Sequence, residues 1–320
     1  MSDSPRAVSW RRPLRWGLLI GTGGFITMAL AEQWGAMRHS AQALTPRWSW
    51  IAAASLLVLA THALLVQAWR QLLAGWGGTL SYPTALRIWT IANLGRWIPG
   101  KVWSVGALGV LARAEGVSGV AAAGAALLGT LLNIGAGFGM AVLLGSAALE
   151  TLRPGLRMVA LGVTLAFGVG VLGLPWLLPP LLRMIARTRG MPALDIRMPS
   201  RTLWTVTVAH AFSWVGYGVA FSWFAAGVTP DVSGNPLLFI AVFTVSYLVG
   251  YLALFSPGGL GVREYALVAL LVGLGSAGPG DAVVLGATSR VWLTVLEVAP
   301  GLVSLLWLTP DQRRSLGSSA

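Results

Sequence analysis

A short stretch of otherwise apolar sequence places two cations beside a Pro-Gly pair, with Asn93, Arg96 and Lys101 around Pro99-Gly100. A helix that breaks at Pro-Gly leaves backbone N–H groups without helical partners. In apolar surroundings such groups, together with nearby cations, suit a phosphate or a carboxylate. We therefore predict an anion site here, with Asn93 either donating to the anion or satisfying exposed backbone. The alternative for Arg96 and Lys101 is that their side chains extend to the membrane interface.

A second break combines glycines with two adjacent charges. Its residues are Pro257, Gly258, Gly259, Gly261, Arg263 and Glu264. Neighbouring residues on a helix point about 100° apart, so Arg263 and Glu264 are not expected to pair only with each other. In one interpretation Glu264 meets a cation of the first break or a proton, while Arg263 meets phosphate. In the other, Glu264 caps the N-terminus of the following helix.

The last apolar segment carries Arg290 and Glu297, which are seven residues apart and share one helix face. Ionisable groups at membrane depth usually face a cavity or a partner, so we predict a binding role, or else a structural link to neighbouring helices. His62 and His210 also lie in apolar segments, where a hydrogen-bonded structural role is favoured over proton relay. We predict no metal site and no cofactor, because no His, Asp or Glu cluster has ligand spacing and cysteine is absent.

The elements that carry these residues are predicted to be membrane helices. The chain is 56% hydrophobic and only 10% charged, which is too little charge to cover a soluble domain. Seven apolar runs approach or exceed the roughly 20 residues that a span needs, at 16–36, 50–68, 117–149, 156–178, 203–226, 237–255 and 282–308. We predict an all-α polytopic membrane protein of about 7–8 transmembrane helices with two Pro/Gly-broken re-entrant segments. It forms a single domain over 1–320 with a membrane core at 16–308.

Arginine placement predicts the orientation. The arginines cluster in the N-terminal segment, in the loop 179–202 and at the C-terminus: Arg6, Arg11, Arg12, Arg15, Arg183, Arg187, Arg189, Arg197, Arg201, Arg313 and Arg314. Such clusters mark cytoplasmic ends, so both termini are predicted in the cytoplasm. The net charge of +12 comes from arginines placed at helix ends and in short loops, as this rule expects, and does not indicate nucleic-acid binding. The run 16–36 is predicted to be a retained anchor and not a cleaved signal.

This orientation requires the first broken segment, 83–111, to begin and end on the cytoplasmic side. We predict a re-entrant hairpin with Arg96 and Lys101 near its tip. The second broken segment, 257–275, must then supply an eighth crossing; without it the count is seven. Paired Pro/Gly-interrupted segments in two halves of a chain are typical of transporter sites.

Tryptophans near helix ends, including Trp69 and Trp89, are predicted to be interfacial anchors. Gly135, Gly137 and Gly139 are predicted to form a helix contact surface.

Three motifs carry a family resemblance: GRWIPGKVW at 95–103, ARAEGV at 112–117 and PGGLGVRE at 257–264. With them the chain resembles the transmembrane domain of bacterial lysyl-phosphatidylglycerol synthases, a family that includes stand-alone flippase-like proteins. The resemblance covers nearly the whole chain. It implies the stand-alone form, without the aminoacyl-transferase domain, and a location in the bacterial cytoplasmic membrane.

The resemblance and the charged breaks together predict a lipid translocase that handles an anionic phospholipid or a lipid-linked phosphate headgroup, and not an enzyme. Its partners would be that lipid and the bilayer. One alternative is a non-transporting partner that presents lipid to a separate synthase or glycosyltransferase. Another is a membrane-embedded lipid-modifying enzyme, for which the chain shows no nucleophile, base or metal arrangement at informative spacing.

Overall fold

The computed structural model describes residues 46–97, 103–152, 155–189, 198–229, 232, 235–253, 256 and 259–307. Most of these residues are in helices. Within the described residues there is no β-strand. The elements are α1 (Trp48–Gly75), α2 (Tyr82–Asn93), a 3₁₀ turn (Leu94–Trp97), α3 (Trp103–Ala114), α4 (Gly119–Leu152), α5 (Leu156–Arg189), α6 (Ser200–Val228), α7 (Pro236–Leu252), α8 (Val262–Gly273) and α9 (Pro279–Leu306). The prediction of an all-α protein is confirmed.

Five of these helices, α1, α4, α5, α6 and α9, are long and apolar enough to cross a membrane. They match five of the predicted spans. Of the other two predicted spans, 237–255 corresponds to the 17-residue helix α7, and 16–36 lies outside the described residues. The protein is therefore a multi-pass membrane protein.

The first broken segment consists of two short helices that run antiparallel. Helices α2 and α3 have 12 residues each, or about 18 Å, which is less than the roughly 30 Å hydrocarbon core. At one end of the pair, Arg87 Nη2 donates to Glu115 Oε1 at 3.0 Å. At the other end, a Cβ built on Gly95 would lie 2.9 Å from Ser104 N. Two half-helices are thus present where they were predicted, while the side from which they enter the membrane stays a prediction.

The second broken segment turns tightly between α7 and α8. Gly259 and Gly261 have φ of +72° and +79°, a region that favours glycine. A Cβ on Gly259 would also lie 2.7 Å from the carbonyl oxygen of Gly250. The glycines therefore allow α8 to start beside the end of α7. Helix α8 has 12 residues, which is too short to cross alone, so the eighth crossing stays a prediction.

Small residues set the contacts of α4. An added Cβ on Gly135 would meet Phe167 of α5, one on Gly137 would meet Trp214 of α6, and one on Gly139 would meet Thr164 of α5. The predicted helix contact surface is confirmed. Small residues let large side chains of neighbouring helices approach the backbone closely.

The C-terminal half of α9 packs closely on α2. A Cβ on Gly301 would lie 2.8 Å from the carbonyl oxygen of Thr90, and Thr90 Oγ1 lies 2.9 Å from Ser304 Oγ. This packing brings the last helix alongside the first broken segment. The packing of α9 on α2 therefore determines which charged residues of these two elements come into contact.

The packing of α2 on α9 predicts a specific cross-link. The chain has no cysteine, so the variant Thr90→Cys/Ser304→Cys carries only the introduced pair. Because the native hydroxyls lie 2.9 Å apart, the two Cβ atoms are close to disulfide range. We expect mild oxidation to form an intramolecular disulfide, detected by mass spectrometry. The pair Thr90→Cys/Leu302→Cys should remain reduced, because Leu302 is exposed on another face of α9. Equal cross-linking of both pairs would contradict the packing.

Candidate functional site

Arg96 lies in the 3₁₀ turn that follows α2, and its side chain contacts two other helices. Its Nη1 donates to Glu297 Oε1 of α9 at 2.8 Å, and its Nη2 donates to Tyr247 Oη of α7 at 2.6 Å. Glu297 is 8% exposed. Charge-assisted bonds of this length are the stronger class of hydrogen bond. Arg96 thus joins the first broken segment to the second half of the chain.

Arg263 lies in the first turn of α8 and is only 2% exposed. Its Nη1 donates to Glu264 Oε1 at 3.2 Å, and its Nη2 is 3.5 Å from Ser289 Oγ of α9. The guanidinium carbon also lies 5.4 Å from the ring centre of Phe243 and 5.7 Å from that of Tyr247, within range of a cation–π contact. Tyr247 therefore contacts both Arg96 and Arg263.

Glu264 caps α8, as one interpretation predicted, and also contacts two arginines of the second half of the chain. Its Oε2 accepts from the Gly261 N–H at 2.7 Å, which caps the start of α8. Its Oε1 accepts from Arg263 and lies 3.6 Å from Arg290 Nη1 of α9. As expected, Arg263 and Glu264 do not pair only with each other.

One interpretation had Glu264 meeting a cation of the first break, and of the two cations there Lys101 lies outside the described residues. The carboxylate that meets Arg96 of the first break is Glu297 and not Glu264. The reason is the packing of α9 on α2, which brings Glu297 to the 3₁₀ turn, while Glu264 is held at the start of α8 by its cap. Arg290 and Glu297 both make the links to neighbouring helices that the sequence analysis considered as an alternative.

The charged side chains surround a small space that we call the arginine pocket, about 10 Å³ in volume. It is lined by Arg96, Tyr247, Arg263, Arg290, Leu293, Thr294 and Glu297. With Glu264, which bonds two of the arginines, the group comprises three guanidinium groups and two carboxylates, a formal surplus of one positive charge among the described residues. The volume suits about one water molecule. A surplus positive charge in low-dielectric surroundings favours an added anion.

A larger space, which we call the aromatic cavity, adjoins the arginine pocket. Its volume is about 220 Å³, and Arg96 and Tyr247 border both spaces. Aromatic and neutral polar side chains dominate its lining: His62, Trp69, Trp89, Asn93, Ser104, Asn133, His210, Ser213, Trp214, Tyr217, Phe243 and Tyr251. Of its described lining residues, none is acidic and Arg96 alone is a lysine or arginine.

His210 does not have the hydrogen-bonded structural role predicted for it. The side chain is 6% exposed, and within the described residues neither ring nitrogen has a hydrogen-bond partner. A buried polar group left without a partner costs about 1–3 kcal/mol. The imidazole therefore gains if a group in the aromatic cavity bonds to it.

The tryptophans of this cavity correct another prediction. Trp69 and Trp89, predicted as interfacial anchors, line the aromatic cavity, and Trp69 Nε1 donates to Ala122 O at 3.4 Å. Tyr247 and Trp214 were missed altogether. A tyrosine inside the apolar run 237–255 is the sequence signal that could have identified Tyr247, because its hydroxyl needs a partner at membrane depth.

Of the remaining predicted site residues, three are described by the structure and five lie outside the described residues. Asn93 lines the aromatic cavity, and Gly259 and Gly261 shape the turn before α8. Outside the described residues lie Pro99, Gly100, Lys101, Pro257 and Gly258. Among the residues that are described, no group of three or more His, Cys, Asp or Glu side chains is arranged to hold a metal ion.

Comparison with known families finds one whose model covers most of the chain. The family described as the lysylphosphatidylglycerol synthase TM region matches residues 15–301. The chain belongs to this family. The resemblance predicted from the three motifs is thereby confirmed, and membership associates the chain with membrane lipid metabolism. None of the curated proteins compared with this chain matches it.

Proposed function

We propose that this protein translocates an anionic lipid, either a phospholipid or a lipid-linked phosphate, between the leaflets of the bacterial cytoplasmic membrane. The observation that supports the proposal is the convergence of Arg96, Arg263 and Arg290 from three separate elements on one buried pocket. Guanidinium groups bind phosphate oxygens in forked geometry. Family membership, which links the chain to membrane lipids, supports the same function.

The charged side chains give a way to bind and release the phosphate. In the resting arrangement Glu297 and Glu264 occupy the guanidinium groups. A phosphate that reaches Arg96 replaces Glu297 as its partner, so the arginine is never left buried without an anion. The headgroup passes Arg96 through the aromatic cavity, while the acyl chains stay in the bilayer. The protein supplies binding and passage and catalyses no covalent step.

The arginine distribution supports an orientation with both termini in the cytoplasm. The anionic headgroup would then approach from the leaflet where the first broken segment begins. A cysteine introduced in the C-terminal segment of this cysteine-free chain tests the orientation. Labelling by an impermeant thiol reagent from outside intact cells would contradict it.

The proposal predicts that Arg96→Ala abolishes most translocation. Loss of a charge-assisted hydrogen bond to the substrate costs about 1.5–3 kcal/mol, or about tenfold or more in rate. The measurement uses proteoliposomes that contain fluorescent phosphatidylglycerol and follows quenching of the outer leaflet by dithionite. The matched control is Arg201→Ala, because Arg201 is an exposed arginine near the start of α6 and does not line either space.

Unchanged translocation by Arg96→Ala, in protein that is folded at the assay temperature, would count against this site. Wild-type protein that binds the lipid but does not translocate it would instead indicate a protein that presents lipid to a separate synthase or glycosyltransferase.

A further inference from the structure

We infer that the aromatic cavity binds an uncharged, hydroxyl-bearing headgroup, such as a glycerol or a sugar, whose phosphate lies at Arg96. The inference rests on the proposed function and adds the class of lipid. It begins from the position of Arg96, which borders both spaces. A phosphate bonded to this guanidinium therefore has the arginine pocket on one side and the aromatic cavity on the other. Of these two spaces, only the cavity has room for a headgroup esterified to the phosphate.

The volume of the cavity fits such a group. The cavity, at about 220 Å³, is far larger than the arginine pocket, which suits about one water molecule, and it has room for a glycerol or a sugar ring. The arginine pocket, at about 10 Å³, cannot accept one. A lipid phosphate without a further headgroup would leave the cavity to water and gain nothing from its lining.

The lining has the chemistry of a polyol site. Asn93, Asn133 and Ser104 present neutral donors and acceptors, and the walls are the rings of Trp89 and Trp214 together with other aromatic side chains. Sites for small neutral ligands combine apolar walls with a few polar groups of this kind. The C–H faces of a polyol pack on the rings while its hydroxyls bond to the amides.

His210 provides an independent indication. Its ring is more than nine-tenths buried, it lines the cavity, and within the described part of the chain its two nitrogens have no partner. A neutral imidazole offers one donor and one acceptor. A hydroxyl group also donates and accepts, so it satisfies either nitrogen. An ammonium group could serve only the acceptor nitrogen, because it cannot accept a hydrogen bond.

Charge argues against a cationic headgroup. No acidic side chain is found among the described residues that line the cavity, and Glu297 lines the arginine pocket, where it is bonded to Arg96. Aromatic rings attract cations, but Arg96 at the border of the same cavity repels them. A headgroup that carries an amino acid would therefore bring positive charge into a space whose described lining contains no carboxylate.

The test compares short-chain lipids that share their acyl chains and differ in the headgroup. The probes are dihexanoyl phosphatidylglycerol, phosphatidic acid, the lysyl ester of phosphatidylglycerol and phosphatidylcholine, with free glycerol 3-phosphate to separate headgroup recognition from lipid recognition. Binding to the purified full chain is measured by calorimetry. We expect phosphatidylglycerol to bind at least about fivefold more tightly than phosphatidic acid or the lysyl ester, the gain expected from one or two added neutral hydrogen bonds.

Two variants assign the preference to the cavity. His210→Leu and Asn133→Leu should reduce the affinity for phosphatidylglycerol to that for phosphatidic acid, and should leave the affinity for phosphatidic acid unchanged. The control Thr164→Val lies on α5 and outside the cavity lining, and should change neither affinity. Should a variant fail to fold, the wild-type lipid series still decides the question.

The outcomes separate this inference from the proposed function. Equal binding of phosphatidic acid and phosphatidylglycerol, or tighter binding of the lysyl ester, would overturn the polyol headgroup and leave an anionic lipid site. If no anionic lipid bound more tightly than phosphatidylcholine, the proposed function would fall as well. Binding of free glycerol 3-phosphate as tight as that of the lipid would assign the site to a soluble phosphate ester.

Discussion

Glu297→Ala is expected to destabilise the protein by roughly 3 kcal/mol, the lower end of the range for breaking a buried ion pair. The substitution removes the carboxylate 2.8 Å from Arg96. The arginine is then left with the Tyr247 hydroxyl in surroundings that solvate a charge poorly. The lower end of the range applies because the Arg96 side chain is still 24% exposed. Thermal unfolding of the purified protein in detergent measures the effect.

The matched control for this variant is Glu115→Ala. Glu115 also pairs with an arginine, Arg87, at 3.0 Å, but both side chains are more than a fifth exposed. Such pairs contribute about 0–1 kcal/mol, so the control should unfold close to the wild-type temperature. Equal effects of Glu297→Ala and Glu115→Ala would show that the Arg96 pair is not a buried link.

A double variant separates the contribution of Glu297 to stability from its part in transport. Arg96→Gln/Glu297→Gln replaces the ion pair by two neutral groups that can still hydrogen-bond. Replacing both members of a buried pair is far less costly than removing one, so stability should largely return. Translocation should stay low, because the guanidinium is absent. Recovery of both properties would contradict the role of Arg96 as a phosphate ligand.

Arg263→Lys is expected to reduce translocation by about tenfold or more, although the charge is kept. The Arg263 guanidinium packs on Phe243 and Tyr247 and reaches both Glu264 and Ser289. A lysine ammonium is a compact point charge that cannot make the planar ring contacts and the forked hydrogen bonds together. Initial rates in the proteoliposome assay measure the effect.

The control is Arg201→Lys, at an exposed position near the start of α6, which should transport at the wild-type rate. Thermal unfolding of both variants distinguishes lost binding from lost folding. Full activity of Arg263→Lys would show that only the charge of this residue matters, which would weaken the case for forked phosphate recognition.

Broken helices explain how so many charges can gather within a membrane protein. Arg96 follows α2 at the 3₁₀ turn, and Arg263 and Glu264 lie in the first turn of α8. At such ends the backbone has unpaired groups that need partners, and Glu264 provides one for Gly261. Arg96, Arg263 and Glu264 thus lie where helices begin or end, and they form ion pairs with Arg290 and Glu297 of α9 or with each other.

Sequence patterns located the helices and most of the charged groups but not their partners. The first break, the second break and the Arg290/Glu297 face were all identified before any packing was known. Nothing in the sequence indicated that the partner of Arg96 would be Glu297 of the last helix. Trp69 and Trp89 were assigned to the interface because tryptophan is common there. Their position in the cavity depends on which face of α1 meets α4 and α6, and on which face of α2 meets α1 and α9.

The sequence by itself determined that this is an all-α membrane protein and which ionisable residues lie in apolar segments. These are local properties, because the length and polarity of a segment decide whether it can reside in a bilayer. Only the tertiary structure decided that Arg96 pairs with Glu297, 201 residues away, and that Tyr247 contacts two arginines. It also decided that an aromatic cavity adjoins them. These features depend on how helices pack, and distant side chains meet only once the backbones that carry them have come together.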